Sequence, residues 1–197
     1  MSLAFCFLHN SARYFEYYFR NHPHLIRKNR NGIGIITGDE TREELLGFAD
    51  DIMSYFGLGC RNVSKIFVPE NYDFSRLLEA LNVYSQYIQH NKYRNNYEFR
   101  KSCFLLNKIS FIDSGFLLLT QSEPLASPVA VVNYEFYSNI PLIETIIRKE
   151  KESIQCVVCN FTFPVPHVPP GMTQRPELWE YSDDIDTMNF LLTKFSA

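Results

Sequence analysis

A glycine-rich tetrad, Gly57-Leu58-Gly59-Cys60, carries the residue whose type and setting best suit chemistry. A helical pattern precedes the tetrad and a strand pattern follows it, so the turn between them should display the Cys60 thiol at an end of the sheet. Backbone amides beside glycines can approach a substrate oxygen, and a thiol next to such amides is what acyl transfer requires. A cysteine at this position can also serve as a small hydrophobic residue packed in the core. The tetrad by itself therefore leaves a catalytic and a structural interpretation open.

Activation of the Cys60 thiol needs a partner that the spacing does not identify. The helix before the tetrad directs its negative end towards Cys60, which disfavours the thiolate. The activating group then has to be Arg61, backbone amides further along the chain, or a group outside this chain. Histidine bases are a further alternative, although a lone histidine is more often structural. The candidate bases are His90, His167 and the pair His22 and His24.

The other cysteines indicate neither a disulfide framework nor a metal site. The five cysteines are odd in number and irregularly spaced, which is typical of thiols kept reduced in the cytoplasm. Cys156-Val157-Val158-Cys159 has the spacing of a zinc or redox half-motif, but no second cysteine pair and no nearby histidine pair completes it. A redox pair should also begin a helix, whereas this run has the pattern of a buried strand. We therefore predict no metal site and a packing role for both thiols.

Composition favours a cytoplasmic globular protein. The 197 residues suit one domain with or without an appendage, and a hydrophobic share of 46% predicts a packed core. No apolar run approaches the about 20 residues of a membrane-spanning helix, and residues 1–8 lack the basic start of a secretory signal. A formal net charge of -3 gives no sign of a nucleic-acid surface. The basic run at 27–30 is interpreted as a solvated face or as a surface for another part of the protein.

Helical and strand patterns alternate around the tetrad. Thr41 and Glu44 form a capping-box pair at the start of a helix that should stop at Gly57, Gly59 or both. The other predicted elements are helices within 11–22, 140–152 and 183–192, a helix capped by Asp73 or Ser75, strands at 33–37, 65–68, 116–119, 128–134 and 154–159, a loop or short helix at 90–97, and an irregular proline-rich stretch at 164–171. This alternation predicts an α/β fold with a mostly parallel sheet covered by helices.

The segment Tyr55 to Lys65, with the sequence YFGLGCRNVSK, resembles the catalytic-cysteine segment of the acyl-CoA reductases. These enzymes are a branch of the aldehyde dehydrogenase superfamily that includes the fatty-acid reductase of bacterial bioluminescence. Residues 12–19, 26–31 and 181–192 resemble the same branch, so the resemblance covers nearly all of residues 10–192. It implies the three-layer α/β/α fold of an aldehyde dehydrogenase catalytic domain.

The resemblance implies reduction of a fatty acyl thioester, on CoA or another thiol carrier, to an aldehyde with NADPH. Cys60 would attack the acyl carbonyl, and hydride transfer to the enzyme thioester would give a thiohemiacetal that collapses to aldehyde. The Cys60 amide would be one oxyanion donor, and the second, an asparagine in the superfamily, is expected outside this chain. The implied substrate and oxyanion loop consists of Gly57, Gly59, Arg61 and Asn62.

One implied cofactor contact can be placed on this chain. Residues 122–129 resemble the superfamily segment whose glutamate contacts the nicotinamide ribose. Pro124 occupies the nearest equivalent of that glutamate and Glu123 lies one place earlier, so Glu123 is the candidate. The glycines at 32–38 do not form a nucleotide fingerprint, because they lie within a strand pattern instead of opening a helix.

Members of the branch are much longer than this chain, and their first half supplies the dinucleotide-binding domain. We therefore expect residues 1–24 to be a helical lead-in from that domain, 25–163 the cysteine-bearing catalytic domain, and 164–197 a proline-rich return segment. The chain alone should not bind NADPH or complete the reduction. It should form homo-oligomers or aggregates through an exposed interdomain surface, with the aromatic helix 14–19 as the candidate. The alternative is a non-enzymatic scaffold or interaction domain with the same fold.

Overall fold

The computed structural model describes residues 5–6, 9–181 and 185–195. The chain divides into two compact units, Asn31–Arg175 and a second one made of Met1–Arg30 with Pro176–Ala197. These boundaries differ from the expected ones at 24/25 and 163/164. The division into lead-in, catalytic domain and return segment is functional and stays a prediction.

Helices and strands alternate through most of the described chain. In order they are β1 (Phe5–Cys6), α1 (His9–Phe19), β2 (Leu25–Ile26), β3 (Asn31–Ile35), α2 (Arg42–Met53), β4 (Val63–Pro69), α3 (Ser75–Leu81), α4 (Asn91–Leu106), β5 (Phe111–Asp113), β6 (Leu118–Gln121), β7 (Val131–Tyr137), α5 (Ile140–Lys149), β8 (Ile154–Val158) and α6 (Thr187–Phe195). Short 3₁₀-helices cover Ser54–Gly57, Asn82–Gln89 and Lys151–Ser153. Within the described ranges, no helix has the length and apolar character needed to cross a membrane.

Six strands of the larger unit form one sheet in the order β5-β6-β7-β4-β3-β8. All neighbouring strands pair in parallel except β5 and β6, which are antiparallel. In β4, Lys65 lies opposite Ile33 of β3 and Asn133 of β7. The strand that follows Cys60 is therefore interior to the sheet, and the predicted mostly parallel α/β fold is confirmed.

Helices cover both faces of this sheet. Successive side chains of a strand point to opposite faces, so neighbouring residues of β4 belong to two different cores. Ile66 and Val68 belong to a core that also contains buried residues of α2, α3 and α4. Phe67 belongs to a second core, which contains Ile143 and Ile147 of α5. The structure thus has the three layers that the resemblance implies.

Helix α2 begins as the sequence predicts and ends earlier. Glu44 N donates to Thr41 Oγ1 at 3.2 Å, and Thr41 N donates to Glu44 Oε2 at 2.7 Å, which completes the capping box. The α-helix ends at Met53, and the segment Ser54–Gly57 that follows has non-helical backbone inside it. The chain leaves right-handed helical geometry at Ser54, whose ψ is 137°, and Tyr55 follows with a φ of 53°.

Helix α4 is longer than the loop or short helix predicted at 90–97. It has 16 residues, and its buried side chains are Tyr93 and Tyr97, four residues apart on one face. Because only these two tyrosines are buried while Phe99, Leu105 and Leu106 are exposed, the apolar residues of the helix follow no clear helical period. Tyr97 Oη donates to Asp113 Oδ1 of β5 at 2.6 Å, which satisfies its polar end.

The second unit contains the aromatic helix α1 and the last described helix. Arg27 Nη2 donates to Thr187 Oγ1 at 3.0 Å and so joins the two chain segments of this unit. Helix α6 begins at Thr187, whereas a start at 183 is predicted, and residues 182–184 lie outside the described ranges. The exposed aromatic side chains of α1 are Tyr14, Tyr17 and Tyr18.

Candidate functional site

Cys60 lies on an exposed turn that leads into β4. Asn62 N donates to Gly59 O at 3.0 Å, which closes a four-residue turn with Cys60 at its second position. The Cys60 thiol is exposed, whereas Cys103 is half-buried and both Cys156 and Cys159 are buried. Among these four cysteines, Cys60 is therefore the one that a substrate reaches most easily.

Three consecutive residues with left-handed backbone lead the chain from α2 to this turn. Tyr55, Phe56 and Gly57 have φ angles of 53°, 62° and 71°, a conformation that costs energy for the first two. The Phe56 ring lies 4.4 Å from the Tyr87 ring and 5.0 Å from the His90 ring, measured between centroids. This packing offsets part of the backbone cost, and it places His90 in an aromatic cluster.

Asn62 organises the turn through its side-chain amide, which is buried. Nδ2 donates to the carbonyls of Asp51 and Ser54, both at 2.9 Å. Oδ1 accepts a hydrogen bond from Gly59 N at 2.8 Å. The amide thereby pairs carbonyls at the C-terminal end of α2, which carry the negative end expected near Cys60. Asn62 shapes the turn and has its donors and acceptor engaged there.

Asp51 and Arg61 anchor the proline-rich segment beside the turn. The Asp51 carboxylate accepts hydrogen bonds from Gly171 N at 2.7 Å, Thr173 N at 3.1 Å and Thr173 Oγ1 at 2.7 Å. Burial raises the pKa of Asp51, and these hydrogen bonds oppose the rise. Arg61 Nε donates to Thr173 O. Sequence reasoning missed Asp51, although an acid next to Ile52 of the apolar stripe was a signal.

Gln174 follows this anchor and extends to the Cys60 turn. Its Nε2 atom is buried and has no hydrogen-bond partner among the described residues. A Cβ atom built on Gly59 would lie 3.8 Å from Gln174 Nε2. The amide nitrogen of Gln174 therefore lies close to the residue that precedes Cys60, and no sequence pattern indicated it.

Side chains of β4 and β7 hold the loop that contains Glu123. Lys65 is fully buried, and it donates to Ser122 O, to Glu123 O at 3.2 Å and to Glu135 Oε2 at 2.8 Å. Two further side chains bind the next carbonyls, with Asn133 Nδ2 donating to Pro124 O and Ala126 O, and Ser64 Oγ donating to Leu125 O. Five successive carbonyls are thus paired, while the Glu123 side chain is exposed. The charged Lys65 inside a strand pattern was the signal for this anchor.

A small cavity lies between the residues that flank the Cys60 turn and those that follow the Glu123 loop. Phe56 and Gly57 line it from one side, and Ser127 and Pro128 from the other. Tyr93 also lines the cavity, and burial raises the pKa of its hydroxyl, which has no partner among the described residues. The two segments that the resemblance assigns to catalysis and cofactor contact are therefore neighbours in the fold.

Two of the other predicted bases, and both thiols of the Cys156–Cys159 run, have structural partners. His167 Nδ1 lies 2.9 Å from Val165 O, and His24 Nδ1 lies 2.9 Å from His22 O. Cys156 Sγ donates to Arg61 O at 3.3 Å. Burial raises the pKa of Cys159. Over the residues that the structure describes, no group of three or more His, Cys, Asp and Glu side chains could hold a metal ion.

Comparison with known proteins gives a fold and no closer relationship. No protein-family model and no curated protein matches the sequence. A putative methylmalonate-semialdehyde dehydrogenase from Sinorhizobium meliloti 1021 complexed with NAD is similar in structure, with a TM-score of 0.56 and 10% identity over 80% of this chain and 40% of that chain. Betaine aldehyde dehydrogenase from Staphylococcus aureus in complex with NAD+ has a TM-score of 0.55 and 13% identity over 79% of this chain and 38% of that chain. 1-Pyrroline-5-carboxylate dehydrogenase from Thermus thermophilus has a TM-score of 0.54 and 8% identity over 79% of this chain and 38% of that chain.

The similarity extends over most of this chain and over about two fifths of each dehydrogenase. At such low identity it concerns the fold alone. The chain therefore has an aldehyde dehydrogenase-like fold, with an exposed cysteine on the turn before an interior strand.

Proposed function

We propose that this chain is the cysteine-bearing catalytic portion of an acyl-CoA reductase, which in the whole protein reduces a fatty acyl thioester to an aldehyde with NADPH. The observation that carries the proposal is the exposed Cys60 on a glycine turn whose sequence resembles that branch, within an aldehyde dehydrogenase-like fold. Gly57 and Gly59 give the turn its shape, and Arg61 and Asn62 hold it in place.

The acyl-transfer half of the reaction is the part that residues of this chain can perform. The Cys60 thiolate forms a bond to the acyl carbon, and the carbonyl electron pair moves to oxygen. When the carbonyl re-forms, the bond to the carrier sulfur breaks, and the carrier leaves as a thiol after taking up a proton. Gly59 N is already bonded to Asn62, so the Cys60 amide is the nearest candidate for the first oxyanion donor.

The described residues do not fit a complete dinucleotide site. Gly32 and Gly34 lie within β3, and a Cβ at Gly32 would be 2.7 Å from Arg61 O, so this glycine serves close backbone packing. Glu123 and Glu135 line an open groove, and because Glu135 is paired with Lys65 and no lysine or arginine is among the described lining residues, the groove offers a phosphate-bearing ligand no cationic partner. The proposal therefore assigns hydride transfer to the whole protein, where Glu123 remains a proposed ribose contact.

Acylation of Cys60 is the test. The chain is incubated with a fatty acyl-CoA, and its intact mass is measured. We expect one acyl adduct, which disappears in Cys60→Ser and persists in Cys103→Ser, the control at a half-buried thiol. An adduct that survives Cys60→Ser would overturn the assignment.

A second arm separates an unactivated thiol from a residue without this role. Repeating the incubation at pH about 9, above the free-cysteine pKa of roughly 8.5, supplies thiolate without an activating group. If no adduct forms at either pH, the proposed function is wrong.

The scaffold hypothesis makes a different prediction for alkylation. A catalytic Cys60 should react with iodoacetamide faster than Cys103 near neutral pH. The labelling rate of each thiol in the folded chain is divided by its rate in the urea-unfolded chain, where both thiols are exposed. Equal or slower labelling of Cys60 would favour a non-enzymatic interaction domain.

A further inference from the structure

We propose that the C-terminal end of helix α4, with the two residues after its cap, is a docking surface for a membrane that contains anionic lipids. This surface, called the α4 tip below, consists of Phe99, Leu105, Leu106, Lys108 and Ile109. Such docking is peripheral, with side chains among the lipid headgroups and no segment that crosses the bilayer. The proposal goes beyond the proposed function and does not depend on the chemistry of Cys60.

The apolar side chains of the α4 tip are open to solvent. Phe99, Leu105, Leu106 and Ile109 are 59%, 62%, 83% and 43% exposed. Phe99 and Leu106 are seven residues apart and so share one face of the helix, away from the face that its two buried tyrosines pack on the core. Exposed apolar side chains that lie together on a surface commonly mark an interaction site.

The charge around the α4 tip is positive, whereas the chain as a whole has a formal net charge of -3. Residues 91–109 contain one acidic residue, Glu98, and five basic ones, which are Lys92, Arg94, Arg100, Lys101 and Lys108. Asp113 of the neighbouring strand β5 lies 2.6 Å from Lys101 Nζ and neutralises that one cation. The other four basic residues outnumber Glu98, so the surface is complementary to an anionic partner.

The backbone fixes Lys108 and Ile109 against the end of the helix. Lys108 N donates to Leu105 O at 3.2 Å, and Ile109 N donates to Phe104 O at 2.9 Å, which are the two hydrogen bonds of a Schellman motif. Lys108 has a φ of 55°, a left-handed conformation that glycine adopts at lower cost. A lysine here places a cation beside the exposed leucines, and its aliphatic stem can lie along apolar surface while the ammonium reaches a headgroup.

The composition of the α4 tip favours a lipid surface over a protein partner. Apolar side chains flanked by lysine and arginine are the arrangement with which peripheral proteins enter the headgroup region of anionic membranes. A stable protein–protein interface buries about 800 Å² on each partner. Four apolar side chains supply only part of such an area, whereas membrane docking needs only a few inserted side chains and a few cations. An acidic protein is the alternative that the experiment has to exclude.

Vesicle flotation tests the proposal with the full chain. The chain is mixed with vesicles of phosphatidylcholine alone, or of equal parts phosphatidylcholine and phosphatidylglycerol, and is centrifuged under a density gradient. We expect it to float with the anionic vesicles and to stay at the bottom with the neutral ones, and flotation should fall as salt is raised. Protein aggregates without lipid stay at the bottom, so self-association through α1 does not imitate binding.

Substitutions assign the binding to the α4 tip. In the double variant Leu105→Ser, Leu106→Ser we expect partitioning onto anionic vesicles to weaken at least about tenfold. Lys108→Asn should weaken it about fivefold. Asparagine suits the left-handed backbone better than lysine, so that loss does not come from a weaker fold. Leu142→Ser, at an exposed leucine of α5 on the opposite face of the sheet, is the matched control and should partition as the wild type does.

Each outcome decides for or against the α4 tip. Absence of flotation with both vesicles would overturn the proposal, and so would equal flotation with both, because anionic lipid would then not be recognised. Flotation that the leucine and lysine variants leave unchanged would assign the binding to another surface. Binding of polyglutamate without binding of vesicles would identify an acidic protein as the partner and would also overturn the proposal. Equal urea midpoints for the leucine variant and the wild type show that reduced flotation is not loss of folding.

The result is separate from the test of the proposed function. Acylation of Cys60 is measured without vesicles, so either proposal can fail while the other stands.

Discussion

At the scale of single residues, buried polar side chains hold the two loops of the candidate site. Asn62 and Asp51 hold the Cys60 turn and the proline-rich segment, and Lys65 holds the loop that contains Glu123. Each of these side chains is nearly inaccessible, and each binds backbone groups of a segment without regular structure. A buried polar group that is fully paired makes a loop rigid, since breaking the contact leaves a desolvated group behind.

Replacing Asn62 tests this role directly. Asn62→Ala removes the donor to Asp51 O and Ser54 O and the acceptor of Gly59 N. We expect a loss of about 2–3 kcal/mol in the free energy of unfolding, because these backbone groups become unpaired in a buried place. Urea unfolding followed by circular dichroism measures the loss. Asn96→Ala, at an exposed position of α4, should cost less than about 0.5 kcal/mol, and an equal loss in the two variants would contradict the role of Asn62.

At the scale of elements, the proline-rich segment packs directly on helix α2. Gly47 lies on the buried side of α2, and a Cβ there would be 2.7 Å from the carbonyl carbon of Pro170. Gly171, with a φ of 84°, turns the segment at this contact. The close approach brings Gly171 and Thr173 within reach of Asp51.

Gly47→Ala should therefore destabilise the chain, contrary to helix propensity. In an exposed helix this change would stabilise by about 1 kcal/mol. Here the added methyl group overlaps backbone atoms, and we expect a net loss of about 1–3 kcal/mol. The measurement is thermal or urea unfolding, and a gain in stability would show that the segment moves away at little cost.

Helix α4 is joined to β5 through Asp113, whose contacts depend on pH. Lys101 Nζ and Tyr97 Oη each lie 2.6 Å from an Asp113 carboxylate oxygen. Burial raises the pKa of Asp113, but the hydrogen bonds from Lys101, Tyr97 and Gly115 outweigh it, and the net pKa is lowered. Because the folded-state pKa of Asp113 lies below the unfolded-state pKa of about 3.9, the carboxylate stabilises the fold at pH values above the unfolded-state pKa. This stabilisation is lost as the pH falls through the folded-state pKa.

Asp113→Asn should accordingly lower the urea midpoint modestly at pH 7, and the difference from the wild type should shrink at acid pH, as the pH falls through the folded-state pKa of Asp113. Comparing the variant with the wild type at each pH removes the effect of other titrating groups. Asp39→Asn, at an exposed position, serves as the control and should change neither midpoint. A difference that persists at the acid pH would refute the electrostatic explanation.

At the scale of the whole molecule, helix α1 of the second unit exposes two neighbouring aromatic rings. Tyr17 and Tyr18 of α1 are 62% and 71% exposed. The expectation that the chain self-associates through this helix remains a prediction, and these exposures agree with its premise. Apolar surface of this kind is commonly an interaction site.

Sedimentation velocity tests that expectation. The wild-type chain should form species larger than a monomer as its concentration rises, and the double variant Tyr17→Ser, Tyr18→Ser should shift the distribution towards monomer. Tyr55→Ser, at a tyrosine of the larger unit that is 70% exposed, is the matched control and should leave the distribution unchanged. A monodisperse wild-type monomer at high concentration would rule out α1 as an association surface.

The sequence by itself determined the order of the main elements, the capping box of α2, the parallel α/β class and the exposed turn at Cys60. These features depend on local periodicity, caps and glycine turns, which act over a few neighbouring residues. The tertiary structure alone decided which side chains support the site, because their partners are remote: Asp51 binds a residue 122 positions away, and Lys65 binds one 57 positions away. It also decided the length of α4. Its buried tyrosines form a core face only because Tyr97 meets Asp113 of β5 and Tyr93 meets Tyr87 of the 3₁₀-helix Asn82–Gln89. Gln174 appears in no local pattern, since only folding brings its amide beside Gly59.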